Sequence, residues 1–335
     1  MIKKFLYLGY YIREMDKKKF RLFLSKAKEE SGKSSFNIIS DMIGCLFRYN
    51  ISLLEYFQFR FYKLNSEERN LYAGTGYMYE YQLKMNPKAA RPVLENKINF
   101  LSVNKEFVRH SHASLTELEA NETLAQSLID NPSGKLVFKH SFGQCGNGVE
   151  VVETNGLTSA AIIDRLKKTG NDYVEEFVVQ HPVLMQLSPS GLNTVRIVTQ
   201  INANDEVDII AARLRITINS AVDNLAAGNM AAPIDIATGN INGPGVFSDI
   251  TKEDLQEHPV THTKLIGFSI PFWNETLEMI KKAAWKNRAN RSVGWDVAIT
   301  NQGPELIEGN HNWCKLLWQL PVHKGLKNDL EKYRL

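Results

Sequence analysis

The sequence predicts an α+β fold with a helical N-terminal region. Within residues 1 to about 90, apolar side chains recur at helical spacing. Residues 135–153 and 293–310 instead alternate apolar and polar side chains around short polar loops, a pattern that predicts antiparallel hairpins. Antiparallel hairpins that accompany separate helical stretches are typical of the α+β class.

Length, charge and cysteine usage limit the kinds of protein that this chain can be. At 335 residues it exceeds one typical domain, so two or three lobes are expected. A net charge of +3, without a long basic tract, argues against nucleic-acid binding. No apolar run approaches the roughly 18 residues of a transmembrane span. Cys45, Cys145 and Cys314 follow no metal-binding spacing and are typical of a reducing compartment, so we expect a cytoplasmic protein.

The N-terminal helices have apolar faces that could cover either of two surfaces. Phe20, Phe23, Leu24 and Ala27 define one face, and a second helix has a similar face from Ile38 to Leu46. Most such faces pack against a neighbouring lobe, which is our expectation here. Peripheral contact with a membrane surface stays open as the alternative, because the region is also basic and aromatic.

The first hairpin contains a glycine-rich loop. Gly143, Gly146 and Gly148 fall within the loop at 142–148, where free backbone amides could approach the phosphates of a triphosphate closely. No Gly-Lys-Ser/Thr follows, and a strand rather than a helix comes next, so neither a Walker loop nor a dinucleotide fingerprint is present. Lys139, on the strand that enters the loop, could reach the phosphates. The alternatives are a plain flexible loop and an ordinary exposed lysine.

A helix is predicted at 158–169, then a short buried strand at 173–179 that leads into a linker. Arg196 follows on a strand at 194–201, and a turn at 202–205 leads to a strand with Arg213 and Arg215 on one face. We expect Arg196 and Arg213 to be diagonal neighbours that grip a phosphate or a substrate carboxylate. The alternative is a charged outer face.

The second hairpin brings two carboxylates together. A helix at 274–287, capped by Asn274, precedes it. A three-residue loop at 301–303 would place Asp296 directly across from Glu308, and Leu306, Glu308 and Asn310 would share a face. Paired anions between apolar residues need a shared proton or a cation. Carboxylate and amide oxygens suit Mg²⁺, although a solvated hairpin face is the alternative.

Taken in order, these motifs resemble the ATP-grasp superfamily of ATP-dependent carboxylate ligases. The chain is more closely similar to its sugar-transfer-associated subfamily, which is found with polysaccharide biosynthesis. The similarity runs from about residue 97 to about residue 319 and, less specifically, over 41–79. It implies two α+β lobes that sandwich ATP, which we place at 91–179 and 180–335 behind the helical region at 1–90. The segments that carry the closer similarity are Gln180-His-Pro, Leu192-Asn-Thr-Val-Arg-Ile-Val-Thr199, Val222-Asp-Asn224, Ile234-Asp-Ile-Ala-Thr-Gly239 and Gly294-Trp-Asp296.

The resemblance also implies roles for individual residues. ATP and Mg²⁺ would be the cofactors, with two lysines on the phosphates, a hinge that holds adenine, and a hairpin that holds the metal. In the hinge, the adenine amino group would meet Glu175 or Glu176, and the backbone of Val178 would contact the ring. The usual acidic ribose ligand is missing, since Gln180 and His181 follow the hinge. The implied residues are Lys97 and Lys139 for phosphate, Glu175, Glu176, Phe177 and Val178 for adenine, and Asp296, Glu308 and Asn310 for Mg²⁺.

The function that follows is a carboxylate-amine ligase that acts through an acyl phosphate, with Arg196 or Arg213 stabilising the developing charge. The polysaccharide context suggests amidation of a uronic acid or aminoacylation of a sugar. The partners would be a sugar or sugar nucleotide and an amino acid. A kinase that phosphorylates a sugar hydroxyl and a non-catalytic nucleotide-binding partner of glycosyltransferases are the alternatives.

Overall fold

A computed structural model describes residues 13, 15–143 and 148–334 of the chain. Its N-terminal region is helical, as the apolar spacing predicts. Asp16 and Ser34 accept backbone N–H bonds at the starts of the first two helices, and Gly32 ends the first helix in the left-handed conformation. The helices of this region are α1 (Lys17–Ser31), α2 (Ser35–Tyr49), α3 (Leu53–Gln58), α4 (Ser66–Asn70) and α5 (Thr75–Met85).

The apolar faces of these helices pack inside the protein. Phe23 and Ile38 are fully buried in a core that also contains Val246, Leu317 and Leu320 from the C-terminal half. The expectation that these faces cover a neighbouring lobe is therefore met for the described helices. Within the described ranges, no helix is long and apolar enough to cross a membrane.

A four-stranded antiparallel sheet with strand order β1-β4-β2-β3 carries the glycine-rich loop between β2 and β3. Phe138 pairs with Glu150, so the predicted hairpin is present. Its strands are β1 (His112–Ser114), β2 (Lys135–Lys139), β3 (Glu150–Glu153) and β4 (Tyr173–Glu176). The helices between α5 and β4 are α6 (Pro92–Glu95), α7 (Lys97–Val103), α8 (Leu115–Ala120), α9 (Glu122–Ile129) and α10 (Ser159–Thr169).

A five-stranded antiparallel sheet with strand order β7-β6-β5-β8-β9 forms the second half of the fold. One of its faces packs against a long helix, α12 (Trp273–Lys286), and against Leu94 and Phe100 of α6 and α7, so α6 and α7 share a core with the second sheet. The strands are β5 (Val195–Ile201), β6 (Val207–Ile216), β7 (Met230–Pro233), β8 (Ser292–Thr300) and β9 (Gly303–Asn310), and the helices are α11 (Pro182–Leu187), α12 (Trp273–Lys286), α13 (Lys315–Gln319) and α14 (Lys327–Glu331).

The start of α12 differs from the prediction. The helix begins at Trp273, after Phe272 in the left-handed conformation, and no side chain caps it. Asn274 is therefore inside the first turn, where its side chain is exposed. The prediction of an Asn274 cap was wrong: the helix begins one residue earlier, at Trp273, whose side chain is buried.

The hairpin of β8 and β9 also differs in its turn. Thr300 pairs with Gly303, so the loop has two residues rather than the predicted three. A bulge opposite the Asp296–Val297 step then restores the predicted pairing of Asp296 with Glu308. The shorter turn pairs Leu306 with Val297 in the apolar core, and the bulge lies between Leu306 and Glu308, so these two residues do not share a face as predicted.

Two connections join the sheets, and both are fastened to the same hairpin. At the first, the amides of Arg109 and His110 donate to the carboxylate of Glu305 on β9, at 2.9 and 3.0 Å. At the second, Gln180 forms a bridge with Thr300 on β8. The hairpin therefore fixes both ends of the four-stranded sheet relative to the second sheet.

An ion-pair cluster anchors α1, and it generates a stability prediction. Glu30 accepts bonds from Arg60 at 2.5 Å, Tyr62 at 2.7 Å and Lys63 at 2.9 Å. Burial opposes ionisation, but these partners outweigh it and lower the pKa of Glu30 from 4.5 to about 2.

We expect Glu30→Gln to lower the free energy of unfolding by about 1.5–3 kcal/mol at pH 7, the range for hydrogen bonds to charged groups. Because the folded pKa is depressed, the contribution is fully present above pH 4.5 and is lost as pH falls through about 2. Urea unfolding between pH 7 and pH 2 measures it. Glu29→Gln, at an exposed position on the same helix, is the matched control. A pH-independent difference between wild type and Glu30→Gln would contradict the assignment.

Candidate nucleotide and metal site

Four charged side chains form one row across the face of the second sheet that is opposite its apolar core. Arg213 on β6 pairs with Arg196 on β5, Arg196 pairs with Asp296 on β8, and Asp296 pairs with Glu308 on β9. The two arginines are thus direct partners rather than the predicted diagonal neighbours. A bulge between Val198 and Thr199 shifts the register, which strand alternation does not reveal.

Asp296 is the centre of this row. Arg196 donates to it through Nε at 2.5 Å and Nη2 at 2.8 Å, and Arg215 donates through Nη1 at 2.8 Å. Burial alone would raise the pKa of Asp296, but the two guanidinium groups outweigh it and lower the pKa well below its usual range. The carboxylate is therefore ionised although its side chain is only 3% exposed.

Arg215 is a site residue that the sequence interpretation did not select. Its Nη2 pairs with Asp223 at 2.7 Å, and Asp223 in turn accepts bonds from the backbone and hydroxyl of Thr194. Asp223 thereby orients Arg215 toward Asp296. Residue spacing could have found it, because Arg215 lies two positions after Arg213 on the same strand face.

Arg213, which was expected to act with Arg196, has other partners in the structure. Its guanidinium donates to the backbone carbonyls of Ala212 and Trp318, each at 2.8 Å. Its Nε is buried without a hydrogen-bond partner among the described residues. The side chain of Arg213 is thus bonded to the carbonyl of Trp318, in the segment after β9, and Arg215 rather than Arg213 contacts Asp296.

Glu308 completes the acidic pair. Its burial and the neighbouring charge of Asp296 raise its pKa, and its side chain also interacts with that of Asp296. Asn310 donates from Nδ2 to Glu308 at 3.1 Å, so the amide oxygen of Asn310 keeps its acceptor capacity. The three predicted metal ligands therefore lie together on one face of the hairpin.

Lys97 connects this hairpin to the glycine-rich loop. Its Nζ lies 2.5 Å from the carbonyl oxygen of Gly143 and 3.8 Å from Oε2 of Glu308. Asn96 caps α7 at the preceding position, and the backbone N–H of Lys97 donates to Ser141. The loop, the lysine and the acidic pair thus meet on one side of the cleft between the sheets.

The donor set suits a magnesium ion in its chemistry. Mg²⁺ favours one or two carboxylates and keeps positions for phosphate oxygens and water, so Asp296, Glu308 and the oxygen of Asn310 match its needs. The raised pKa of Glu308 fits a site that a cation would relieve. The described ranges hold no group of three or more histidine, cysteine, aspartate or glutamate side chains that could hold a metal ion.

Lys139, the other predicted phosphate ligand, is in contact with the carboxylate of Glu175. Glu175 is buried, and His110 approaches it, with Nε2 at 3.8 Å from Oε2. On its other side the ring of His110 meets Glu305, with Nδ1 at 2.8 Å from Oε2. His110 and Glu305 were not selected from the sequence, because their proximity depends on two distant segments and on the bulge in β9.

The predicted adenine hinge lies where the chain passes from β4 to the second sheet. Glu176 accepts the backbone N–H of Ser111 at 3.2 Å, and the backbone N–H of Phe177 donates to Lys135. Val178 is half-buried between the two sheets. Gln180, considered for ribose, is buried in bonds to Ser188, Gly191 and Asn193.

The glycine-rich loop is described only at its ends. Gly143 contacts Lys97, and Gly148 has φ 73°, a backbone conformation that glycine adopts without strain. Gly146 and Cys145 lie outside the described residues.

Comparison with known proteins gives family membership and distant structural likeness. No curated protein matches the chain in sequence. Among solved structures, the ATP-grasp ligase PsnB with its minimal precursor is 13% identical, covers 70% of this chain and 57% of its own, and has a TM-score of 0.41. Biotin carboxylase from Campylobacter jejuni is 13% identical, with 70% and 47% coverage and a TM-score of 0.42. L-amino acid ligase from Bacillus licheniformis is 13% identical, with 66% and 41% coverage and a TM-score of 0.37.

The chain spans about half the length of these solved structures. Family assignment rests on the sequence match, which runs over residues 77–334 and so includes both sheets, the glycine-rich loop and the acidic hairpin. This chain belongs to the sugar-transfer-associated ATP-grasp family and has the α+β ATP-grasp fold that its motif order predicts.

Proposed function

We propose that the protein is an ATP-dependent ligase that joins a carboxylate to an amine. The observation that carries this proposal is the opposed pair Asp296 and Glu308, flanked by Lys97 at the glycine-rich loop and by two arginines on the sheet. Such an arrangement concentrates positive charge around a metal-type donor set, and phosphoryl transfer depends on both.

ATP would lie in the cleft between the sheets. Lys97 and Lys139 reach into it from α7 and β2, and both would contact phosphate oxygens as point charges. The backbone of Val178 and the carboxylate of Glu176 would face adenine, because Glu175 already contacts Lys139. Gly143, Gly146 and Gly148 would let the loop approach the phosphates.

Asp296, Glu308 and Asn310 would hold Mg²⁺. When bound, the ion would supply charge neutralisation for the phosphates. The chain's own residues keep these ligands in place: Arg196 and Arg215 orient Asp296, and the amide of Asn310 orients Glu308.

The reaction would proceed in two steps. An oxygen of the substrate carboxylate attacks the γ-phosphorus, the bond to the β-phosphate oxygen breaks, and ADP leaves. The acyl phosphate is then attacked by an amine, which loses a proton as the C–N bond forms and inorganic phosphate departs. Arg196 and Arg215, which are paired with Asp296, would stabilise the oxyanion of the second step.

The substrate class is proposed from the family. Its association with sugar transfer supports a sugar or sugar nucleotide as one substrate and an amino acid as the other, with a uronic acid amide or an aminoacyl sugar as product. The cytoplasmic location remains a prediction.

Hydroxylamine trapping tests the reaction class. With ATP, Mg²⁺ and a panel of uronic and amino acids, we expect a hydroxamate from the wild type, because hydroxylamine captures an acyl phosphate. Glu308→Gln should lose this signal while circular dichroism stays unchanged, and Glu253→Gln, at an exposed position, should retain it. ATP consumption with a phosphorylated sugar and no hydroxamate would favour a kinase instead.

Lys139→Ala tests the phosphate assignment. We expect the dissociation constant for a non-hydrolysable ATP analogue to rise about tenfold or more, since a charge-assisted contact contributes roughly 1.5–3 kcal/mol. Calorimetric titration measures it. Lys167→Ala, which alters an exposed lysine paired with Glu119, is the matched control. An affinity of Lys139→Ala equal to that of the wild type would show that Lys139 is not a phosphate ligand.

Arg215→Lys tests which arginine acts with Arg196. A lysine keeps the charge but cannot bond Asp296 and Asp223 together, so we expect kcat/KM to fall about 10²–10³-fold, the scale for loss of one stabilising donor. Steady-state kinetics on the folded variant measure this. Arg291→Lys, which alters an arginine paired with the exposed Asp205, should change kcat/KM little. Full activity of Arg215→Lys would contradict the assignment.

A further inference from the structure

A chain of four buried or partly buried charged groups crosses from the first sheet to the second. Lys139 on β2 contacts Glu175 on β4, His110 lies between Glu175 and Glu305, and Glu305 belongs to β9. The first two groups belong to the four-stranded sheet. The last belongs to the hairpin that also carries Asp296 and Glu308, so the chain links the nucleotide cleft to the metal-type site.

His110 is anchored on one side only. Glu305 accepts its Nδ1 at 2.8 Å as well as the backbone N–H groups of Arg109 and His110. By contrast, Nε2 is buried without a hydrogen-bond partner among the described residues and lies 3.8 Å from Glu175, beyond hydrogen-bond distance. Burial opposes protonation, but Glu305 and Glu175 outweigh it and raise the pKa of His110, so Nε2 carries a proton in the charged form.

Nucleotide binding would weaken the contact between Lys139 and Glu175. If the ammonium group of Lys139 turns toward phosphate oxygens, it moves away from Glu175, whose side chain is only 8% exposed. Removing the partner of a buried carboxylate strongly destabilises the folded protein, because an uncompensated charge stays buried. Another donor must therefore replace Lys139 if the lysine is to serve the phosphates fully.

We propose that His110 is a positioning residue that takes over Glu175 from Lys139 when nucleotide binds. The proposal rests on the proposed function, in which Lys139 contacts the phosphates. The movement needed is short, because a closure of about 1 Å would bring Nε2 within hydrogen-bond distance of Oε2. The ring of His110 is bonded to Glu305 of the second sheet, while the next residues of its segment pair with β4 beside Glu175, so a small shift of the ring toward Glu175 would make this bond and free the lysine.

The neighbouring histidine is a poorer candidate. His112 pairs with Glu175 across β1 and β4, but its Nδ1 contacts the backbone carbonyl of His110 at 3.3 Å. Burial lowers the pKa of His112, so it favours the neutral ring. His112 therefore provides a matched control of the same residue type on the same segment.

A double-mutant cycle on nucleotide affinity tests the proposal. The dissociation constant of Mg²⁺ and a non-hydrolysable ATP analogue is measured by calorimetry for wild type, His110→Gln, Glu175→Gln and the double variant. We expect His110→Gln to raise the constant about tenfold in the wild-type background, within the range of coupled neighbours, and to change it less than twofold in the Glu175→Gln background. His112→Gln should stay within about twofold of wild type.

The possible results separate this proposal from the proposed function. A loss of equal size in both backgrounds would show that His110 only braces the hinge, and would overturn the proposal. Absence of nucleotide binding by the wild type would overturn the proposed function and this inference together.

Nitrogen NMR of the wild type labelled with ¹⁵N-histidine covers the case in which a variant does not fold. The Nε2 signal of His110 should shift on nucleotide binding as its N–H finds an acceptor. An unchanged Nε2 signal at saturating nucleotide would overturn the proposal that His110 replaces Lys139 as the partner of Glu175.

Discussion

The buried carboxylate of Asp296 is the constraint on which the second sheet and its site depend. It is ionised at 3% side-chain exposure, so it requires the guanidinium groups of Arg196 and Arg215 on two neighbouring strands. These bonds fix the register of β5, β6 and β8, because a slip of one residue would turn Arg196 into the apolar core. One interaction therefore aligns the sheet and presents its charges to the cleft.

The hairpin that holds Asp296 also determines how the two sheets meet. Glu305 fastens the connection entering the first sheet, and Thr300 fastens the connection leaving it. Any closing of the cleft must therefore rotate about contacts on β8 and β9. Glu308 lies three residues after Glu305, so the acidic pair is close to these contacts.

The sequence predicts the α+β class, both hairpins and the pairing of Asp296 with Glu308, because side-chain alternation and turn residues are local signals. The predicted pairing of Asp296 with Glu308 is correct although the predicted turn is not, because the shorter turn shifts the register by one residue and the bulge shifts it back. The shorter turn and the bulge together place Glu305 on the face of Glu308 and Leu306 in the core, and the bulge has no local signature. Arg215 and His110 escaped prediction because their partners are distant in sequence, and only tertiary packing brings them together.

Four cations around the cleft already contact carboxylates before any phosphate arrives. A nucleotide therefore cannot gain a cation without taking it from a carboxylate, and each carboxylate so released needs a substitute. Mg²⁺ would neutralise Asp296 and Glu308, and His110 would donate to Glu175. Asp223 would hold Arg215 in place if Arg215 turned away from Asp296. The need to pair each buried carboxylate explains why the site contains carboxylates and a histidine in addition to the cations that would contact phosphate. The matched groups are Lys97, Lys139, Arg196 and Arg215 against Glu308, Glu175, Asp296 and Asp223.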